Sequence, residues 1–287
     1  MGETRRAITF YEQALAIARE IGDRNGEAHY LGCLGNGYAS LGQNQYAIKN
    51  FEQAIAVSCE IGHRFGEGWQ LGSLADIFID ENRYNDAIER AKESVKIGTE
   101  IESNWINSYH NNTLALAHLY SGNLSAARAA IDAASKFDVP ENNHNVAALL
   151  GIIALRQAAA GKREAFAPSN LKSPDASANA SPLRDAINAF TAAIEHADKL
   201  LAQTPELYDA LDAKGIALCG LAMCETVETP RRGVSTEDAV ATFRAARKIN
   251  RDAGIVACVV RLLDALALAD PNGLAVLSAP RQAAGGE

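Results

Sequence analysis

GEAHYLGCLGNGYASLGQNQYAIKNFEQAIAVSCEIGHRF, residues 26–65, decides the fold, because the chain then starts again: residues 66–105 read GEGWQLGSLADIFIDENRYNDAIERAKESVKIGTEIESNW. Leu31-Gly32 returns as Leu71-Gly72, Leu34 as Leu74, Ala47-Ile48 as Ala87-Ile88, and Glu60-Ile61 as Glu100-Ile101. Self-similarity at a fixed period of about forty residues is the signature of a stacked repeat array. Each period carries two apolar stripes of helical spacing, punctuated by Gly42 and Gly62,. The expectation is an all-α chain, a right-handed superhelical solenoid of antiparallel helix pairs.

Working outward, residues 3–22 match the second half of a period, with Ala7, Phe10, Ala14, Ile17 and Ala18 on one stripe. The chain thus opens in mid-repeat, which reads as a fragment of a longer parent or as an end that a partner covers. Full repeats are expected at 26–65, 66–105 and 106–145, with helix A of the first at 27–41 and helix B at 45–61. A fourth repeat, 146–204, has helix A at 146–160 and is interrupted by residues 162–185. That insert is rich in Ala, Ser, Asn and Pro and reads as an irregular loop, with Pro182 starting the next helix,. A fifth, 205–250, has Pro205 starting its first helix and a second insert at 226–235. A terminal helix is expected at 252–269 without an evident partner, then a disordered tail at 279–287. The whole of 1–278 reads as one solenoid.

Leu34-Gly35, Tyr38, Ala47, Phe51 and Ala54 sit at the spacing of the tetratricopeptide (TPR) signature, which the chain resembles over residues 3–250 and most strongly over 3–135. The forty-residue period is similar to the longer TPR subclass of Pins-type spindle-orientation adaptors, kinesin light chains and the sensor regions of STAND-type NTPases. In that family helix A of each repeat lines a concave groove that holds a peptide. The resemblance therefore implies three columns of groove residues: His29, Trp69, Tyr109, then Ala148; Asn36, Asp76, Leu116, then Leu155; and Ser40, Asp80, Tyr120, then Ala159. Asn112 belongs to the same face. Asn36 matches the asparagine that clamps a peptide backbone in these relatives; Asp76 and Leu116 depart from that ladder. The aromatic column is either a platform for an extended peptide or the filling of a tightly wound superhelix. Asp76 and Asp80 favour a partner segment carrying Lys or Arg. Toward the fourth repeat the columns turn apolar, and an apolar strip of that length calls for a cover, either a peptide or residues 162–185.

Composition narrows the function. With 287 residues, 48% hydrophobic but only 6% aromatic, the core must be built from Ala, Leu, Ile and Val. A net charge of −8 without basic runs argues against nucleic-acid partners,. The longest apolar run, residues 254–269, is cut by Arg261 and Asp264 and is too short to span a membrane,. Five scattered cysteines read as small buried hydrophobes in a reducing, cytoplasmic setting,. The six histidines fit no metal spacing, Gly32, Gly35 and Gly37 follow no strand, and no nucleophile-base pair is evident. No cofactor is expected. The chain reads as a non-catalytic scaffold that binds a protein or peptide, as the sensor or adaptor part of a larger signalling protein, with oligomerisation open to its uncapped ends. The alternative reading is a regulatory module that senses a small molecule or short peptide on the aromatic column.

Overall fold

The computed structural model describes residues 2–165, 176–227, 236–270 and 272–285, and every regular element among them is a helix. In order these are α1 (Gly2–Ile21), α2 (Arg24–Ser40), α3 (Asn44–Glu60), α4 (Arg64–Asp80), α5 (Tyr84–Glu100), α6 (Asn104–Tyr120) and α7 (Leu124–Ala134). Then follow α8 (Pro140–Ala165), α9 (Ala176–Gln203), α10 (Tyr208–Val227), α11 (Thr236–Ile249), α12 (Ala253–Ala267), α13 (Gly273–Val276) and α14 (Ser278–Ala283). Through α11, each helix packs on the next in sequence, so the chain is a stack of antiparallel helix pairs.

The turns explain the regularity. Helices α2 to α6 are each 17 residues long. The residue that closes each turn is left-handed: Gly22, Gly42, Gly62, Asn82, Glu102 and Gly122, spaced by twenty. The next backbone N–H reaches back five residues, from Asp23 to the Ala18 carbonyl at 2.8 Å, from Gln43 to Tyr38 at 2.9 Å, and likewise at 63, 83, 103 and 123. This closure satisfies carbonyls that a helix end leaves unpaired. Asp23, Ser103 and Asn123 then cap the following helices, each accepting from the backbone N–H three residues on.

Packing between the two helices of a pair is a matter of matched volumes. A Cβ on Gly35 would lie 2.6 Å from the Phe51 ring, so the small residue on helix A makes room for the large one on helix B. The same pairing recurs as Gly151 with Phe190 and Gly215 with Phe243, and all three rings are fully buried. In the second pair the volumes are shared out differently: Ala75 and Ala91 are both fully buried.

Several boundaries differ from the expectation. α8 begins at Pro140, six residues early, because proline suits a first helical turn,. Of the insert expected to be irregular, residues 176–185 are helical, and Pro182 lies inside α9 rather than at its start. Alanine is the best helix former, and it outweighs the Ser and Asn that suggested a loop. Residues 166–175 of that insert, and 228–235 of the second, lie outside the described residues. Pro205 sits in the turn before α10, not in its first turn. The tail is ordered as far as residue 285: Ala284 is fully buried, and Arg281 pairs with Asp264 at 2.9 Å.

Candidate functional site

Helices α2, α4 and α6 form the inner wall of the stack, and α12 lies across it. The start of α12 abuts the end of α2, where Gly254 passes so close that a Cβ would sit 2.2 Å from the Ala39 carbonyl oxygen. Further along, the Arg261 guanidinium is ion-paired with Asp80 on α4, and Cys258 Sγ lies 3.7 Å from the same carboxylate. Thr4 on α1 donates to Asp252, just before α12, at 2.5 Å.

Two cavities lie beside the first half of α12. One, of about 420 Å³, is bounded on the wall side by Asn36, Ser40, Asp76, Asp80, Leu116 and Tyr120. The other, of about 260 Å³, lies toward α8 and α10 and includes Asn112, Leu116 and Ala148. Eight of the thirteen residues assigned to the groove from sequence therefore meet in one place; α12 lies over that place, although Asn36 and Asp76 remain exposed. The terminal helix, which had no evident partner, provides the cover.

The charges in this hollow are unevenly matched. Enclosure pushes the Asp80 carboxyl above the usual range, and Arg261 pulls it back. Asp76 is pushed up to about 7, first by desolvation; the Thr113 hydroxyl opposes this, the neighbouring Asp80 adds to it, and Arg261 opposes it. Asp76 is hemmed in by protein yet open to the water of the hollow, which weakens that push. Desolvation also pushes the Cys258 thiol up, with Asp80 contributing, although Cys258 is itself exposed, which weakens that push. One cation thus faces two carboxylates.

The aromatic column has a different fate. His29 is exposed, Trp69 and Tyr109 are half-buried, and none of them lines the two cavities beside the first half of α12. Trp69 stacks on Phe65, with centroids 6.1 Å apart and planes 12° apart; Tyr109 stacks on Trp105 at 5.7 Å and 7°. Trp69 and Tyr109 meet edge to face at 5.4 Å. Four rings thus form a continuous strip beside a cavity of about 290 Å³ that His29 also lines. Phe65 and Trp105 are each 44% exposed, and the sequence reading missed both. The signal was available: they are one period apart, four residues before Trp69 and Tyr109, hence on the same helix faces. At the far end of the column Ala148 is buried.

A larger cavity, about 1220 Å³, opens between the α6 end of the wall and α12 to α14, with Leu268 and Leu274 exposed beside it. Among the described residues no group of three or more His, Cys, Asp or Glu could hold a metal ion, and no helix is long and apolar enough to cross a membrane. The one histidine drawn deep into the wall, His110, is held by Ser94 and burial pushes it down to about 3, which leaves it a neutral packing group.

Residues 1–60 match the family model described as tetratricopeptide repeat. No curated protein matches the chain. Among solved structures, one titled "Crystal structure of MamA protein" is 17% identical, with 87% of this chain and 93% of that chain covered and a TM-score of 0.34. A second, "TPR2AB-domain:pHSP90-complex of yeast Sti1", is 15% identical over 91% of this chain and 99% of that one, with a TM-score of 0.36. The family match covers the first sixty residues, and antiparallel helix pairs continue beyond them.

Proposed function

We propose that the chain is a non-catalytic protein-interaction scaffold, and that its open docking surface is the strip of Phe65, Trp69, Trp105 and Tyr109, flanked by His29. The observation that carries this reading is the contrast between the two halves of the wall. One half is covered by α12, while four rings on the first turns of α4 and α6 stay partly exposed. Flat rings offer contact area at low entropy cost, and their faces attract cations. Asp209 and Glu141 lie close enough to raise the Tyr109 hydroxyl, after desolvation, so the field around the strip is acidic. The occupant that fits is an extended peptide segment carrying Lys or Arg. Such a surface suits the sensor or adaptor part of a signalling protein, in keeping with the family resemblance.

The chain reports on this surface itself. Its only two tryptophans, Trp69 and Trp105, both belong to the strip. Titrating the chain with an array of ten-residue peptides should change tryptophan emission for Lys- or Arg-bearing peptides and not for acidic ones. Phe65→Ala and Tyr109→Ala should weaken that binding while leaving the helical signal intact. If cationic and acidic peptides behave alike, the surface is packing and not recognition.

A further inference from the structure

The chamber of about 260 Å³ between α6, α8, α10 and the first half of α12 is bordered by none of the aromatic strip's rings, and by neither Asp76 nor Asp80. Its body is apolar: Leu149, Ile152, Ile216 and Val259 line it and are buried in the main core. An apolar cavity of about 150 Å³ already takes up benzene, so this one has room for a ring with a short arm. The polar groups bordering it are acceptors that lack donors. Asp212 is 6% exposed, and the Arg247 guanidinium of α11 meets its Oδ2 only. Its Oδ1 is buried and has no hydrogen-bond partner among the described residues. Nε and Nη1 of Arg247 are unmet as well, so the pair is not the two-pronged one that would satisfy both oxygens,. Asn112 Oδ1, from α6, is a second buried acceptor without a partner. Buried polar atoms are as a rule hydrogen-bonded, so two unmet acceptors at one chamber call for an explanation.

We propose that this chamber binds a small organic cation, a primary ammonium group carried on a compact apolar body. The chamber sets both halves of that description. An ammonium brings three donors and a positive charge on a single atom, whereas an ionised carboxylate only accepts. Asp209, half-buried three residues before Asp212, adds a second carboxylate to the chamber. Two negative charges thus face the one guanidinium of Arg247; His144 Nε2 lies 3.6 Å from Asp209 and answers it with charge only when protonated. Burial raises the Asp212 carboxyl to about 6, while Arg247 opposes this and Asp209 adds to it. At neutral pH the group is therefore ionised, with its charge met on one oxygen only. An anion would add to the excess of negative charge, and a neutral apolar guest would leave the acceptors unmet. The apolar body of the guest takes the space against the buried leucine, isoleucines and valine. Asn112, Asn145, Tyr208 and Ile255 are half-buried and Cys258 is exposed, which marks the side open to water. The chamber shares no residue with the aromatic strip, so either reading can fail without the other.

The test is calorimetric titration of the full chain, at neutral pH, with three probes that share a phenyl ring on a short arm. These are 2-phenylethylamine, which is cationic, 2-phenylethanol, which is neutral, and 3-phenylpropionate, which is anionic. The amine should bind about tenfold tighter than the alcohol or better, because a charged donor strengthens the hydrogen bond, and the anion should not bind. Asp212→Asn keeps the shape of the side chain and removes its charge. It should erase the advantage of the amine and leave the alcohol's affinity nearly unchanged. Exposed ring faces also attract cations, so Phe65→Ala serves as the control for the aromatic strip and should leave the amine's affinity as it was. Circular dichroism and melting show whether each variant folds. If Asp212→Asn does not, Asn112→Leu, which removes the other unmet oxygen, decides by the same loss of preference. The proposal is overturned if the amine binds no tighter than the alcohol, or if neither binds. It is overturned as well if the folded Asp212→Asn chain, or Asn112→Leu in its place, keeps the preference, or if Phe65→Ala abolishes it, which would put the amine on the strip.

Discussion

His110 offers the sharpest check on the wall's packing. Its imidazole is buried on α6 and lies over Gly72, where a Cβ would come within 2.1 Å of the ring. The Ser94 hydroxyl donates to the Gly68 carbonyl at 2.6 Å, so its lone pair accepts the Nδ1–H of His110, also at 2.6 Å. Desolvation alone pushes the pKa down from 6.5 to about 3. An imidazole that stays neutral in the fold but protonates when released favours the unfolded chain as pH falls. Its contribution is intact above about pH 6.5 and is lost progressively toward pH 3. At pH 5 the loss is about 2 kcal/mol, at about 1.4 kcal/mol for each pH unit below the ordinary histidine value. One period earlier the same position is Gln70, lying over Gly32 in the same way. His110→Gln therefore installs a side chain the array already accommodates and removes the titration. In urea melts at about pH 7.5 and pH 5, the variant should lose about 2 kcal/mol less than the parent between the two conditions. The raised carboxyls of Asp76 and Asp212 act in both proteins and cancel. Parallel pH dependences would refute the reasoning, since they would mean that the imidazole takes up its proton inside the fold.

Three further outcomes follow from named contacts. Glu102 holds a left-handed turn position, at φ 53°, that four of its five equivalents give to glycine; Glu102→Gly should stabilise by about 1 kcal/mol, read as a higher melting temperature. Phe190 is fully buried between Gly151 and Gly220 and joins α8, α9 and α10; Phe190→Ala should cost about 3–5 kcal/mol in urea, with the loss falling on the C-terminal half of the stack. A carboxyl whose pKa is raised by folding costs stability in full above the raised value, so Asp76→Asn should be more stable than the parent at about pH 8, with the advantage shrinking progressively below about pH 7 and gone near the ordinary carboxyl value of about 4,.

The array was legible because its signals are local and repeated. A left-handed residue every twenty positions and a small-large pair such as Gly35 with Phe51 sit within one helix pair, where spacing fixes contact. The wall residues followed from the same register, and the structure brings eight of them together around α12. What spacing could not give was the destination of a segment more than a hundred residues away. Residues 252–269 show an apolar stripe, but a stripe states that a face is buried and not against what. The sign of the missing partner was nonetheless present: Asp76 and Asp80 called for a cation, and the cation is Arg261 of the same chain. The tail failed for a related reason. Its Ala, Pro and Gly content resembles an unstructured end, while its order depends on Asp264 being in reach of Arg281.

An open array and a covered one make different demands on the wall. If α12 existed only to fill space, the apolar columns would suffice, and a hydrophobic face packed to interior density would be the economical solution. The wall instead keeps two carboxylates four residues apart on α4, pairs the one cation of α12 with Asp80, and leaves cavities on both sides. Desolvation raises the Asp76 carboxyl and Arg261 only partly offsets it, although Asp76 is exposed to the hollow, which weakens the effect,. The aromatic strip bears the complementary mark: rings left in solvent where neighbouring positions of the same helices are covered. Both features point the same way, toward a stack whose interior is shaped for contacts that its own helices only partly supply.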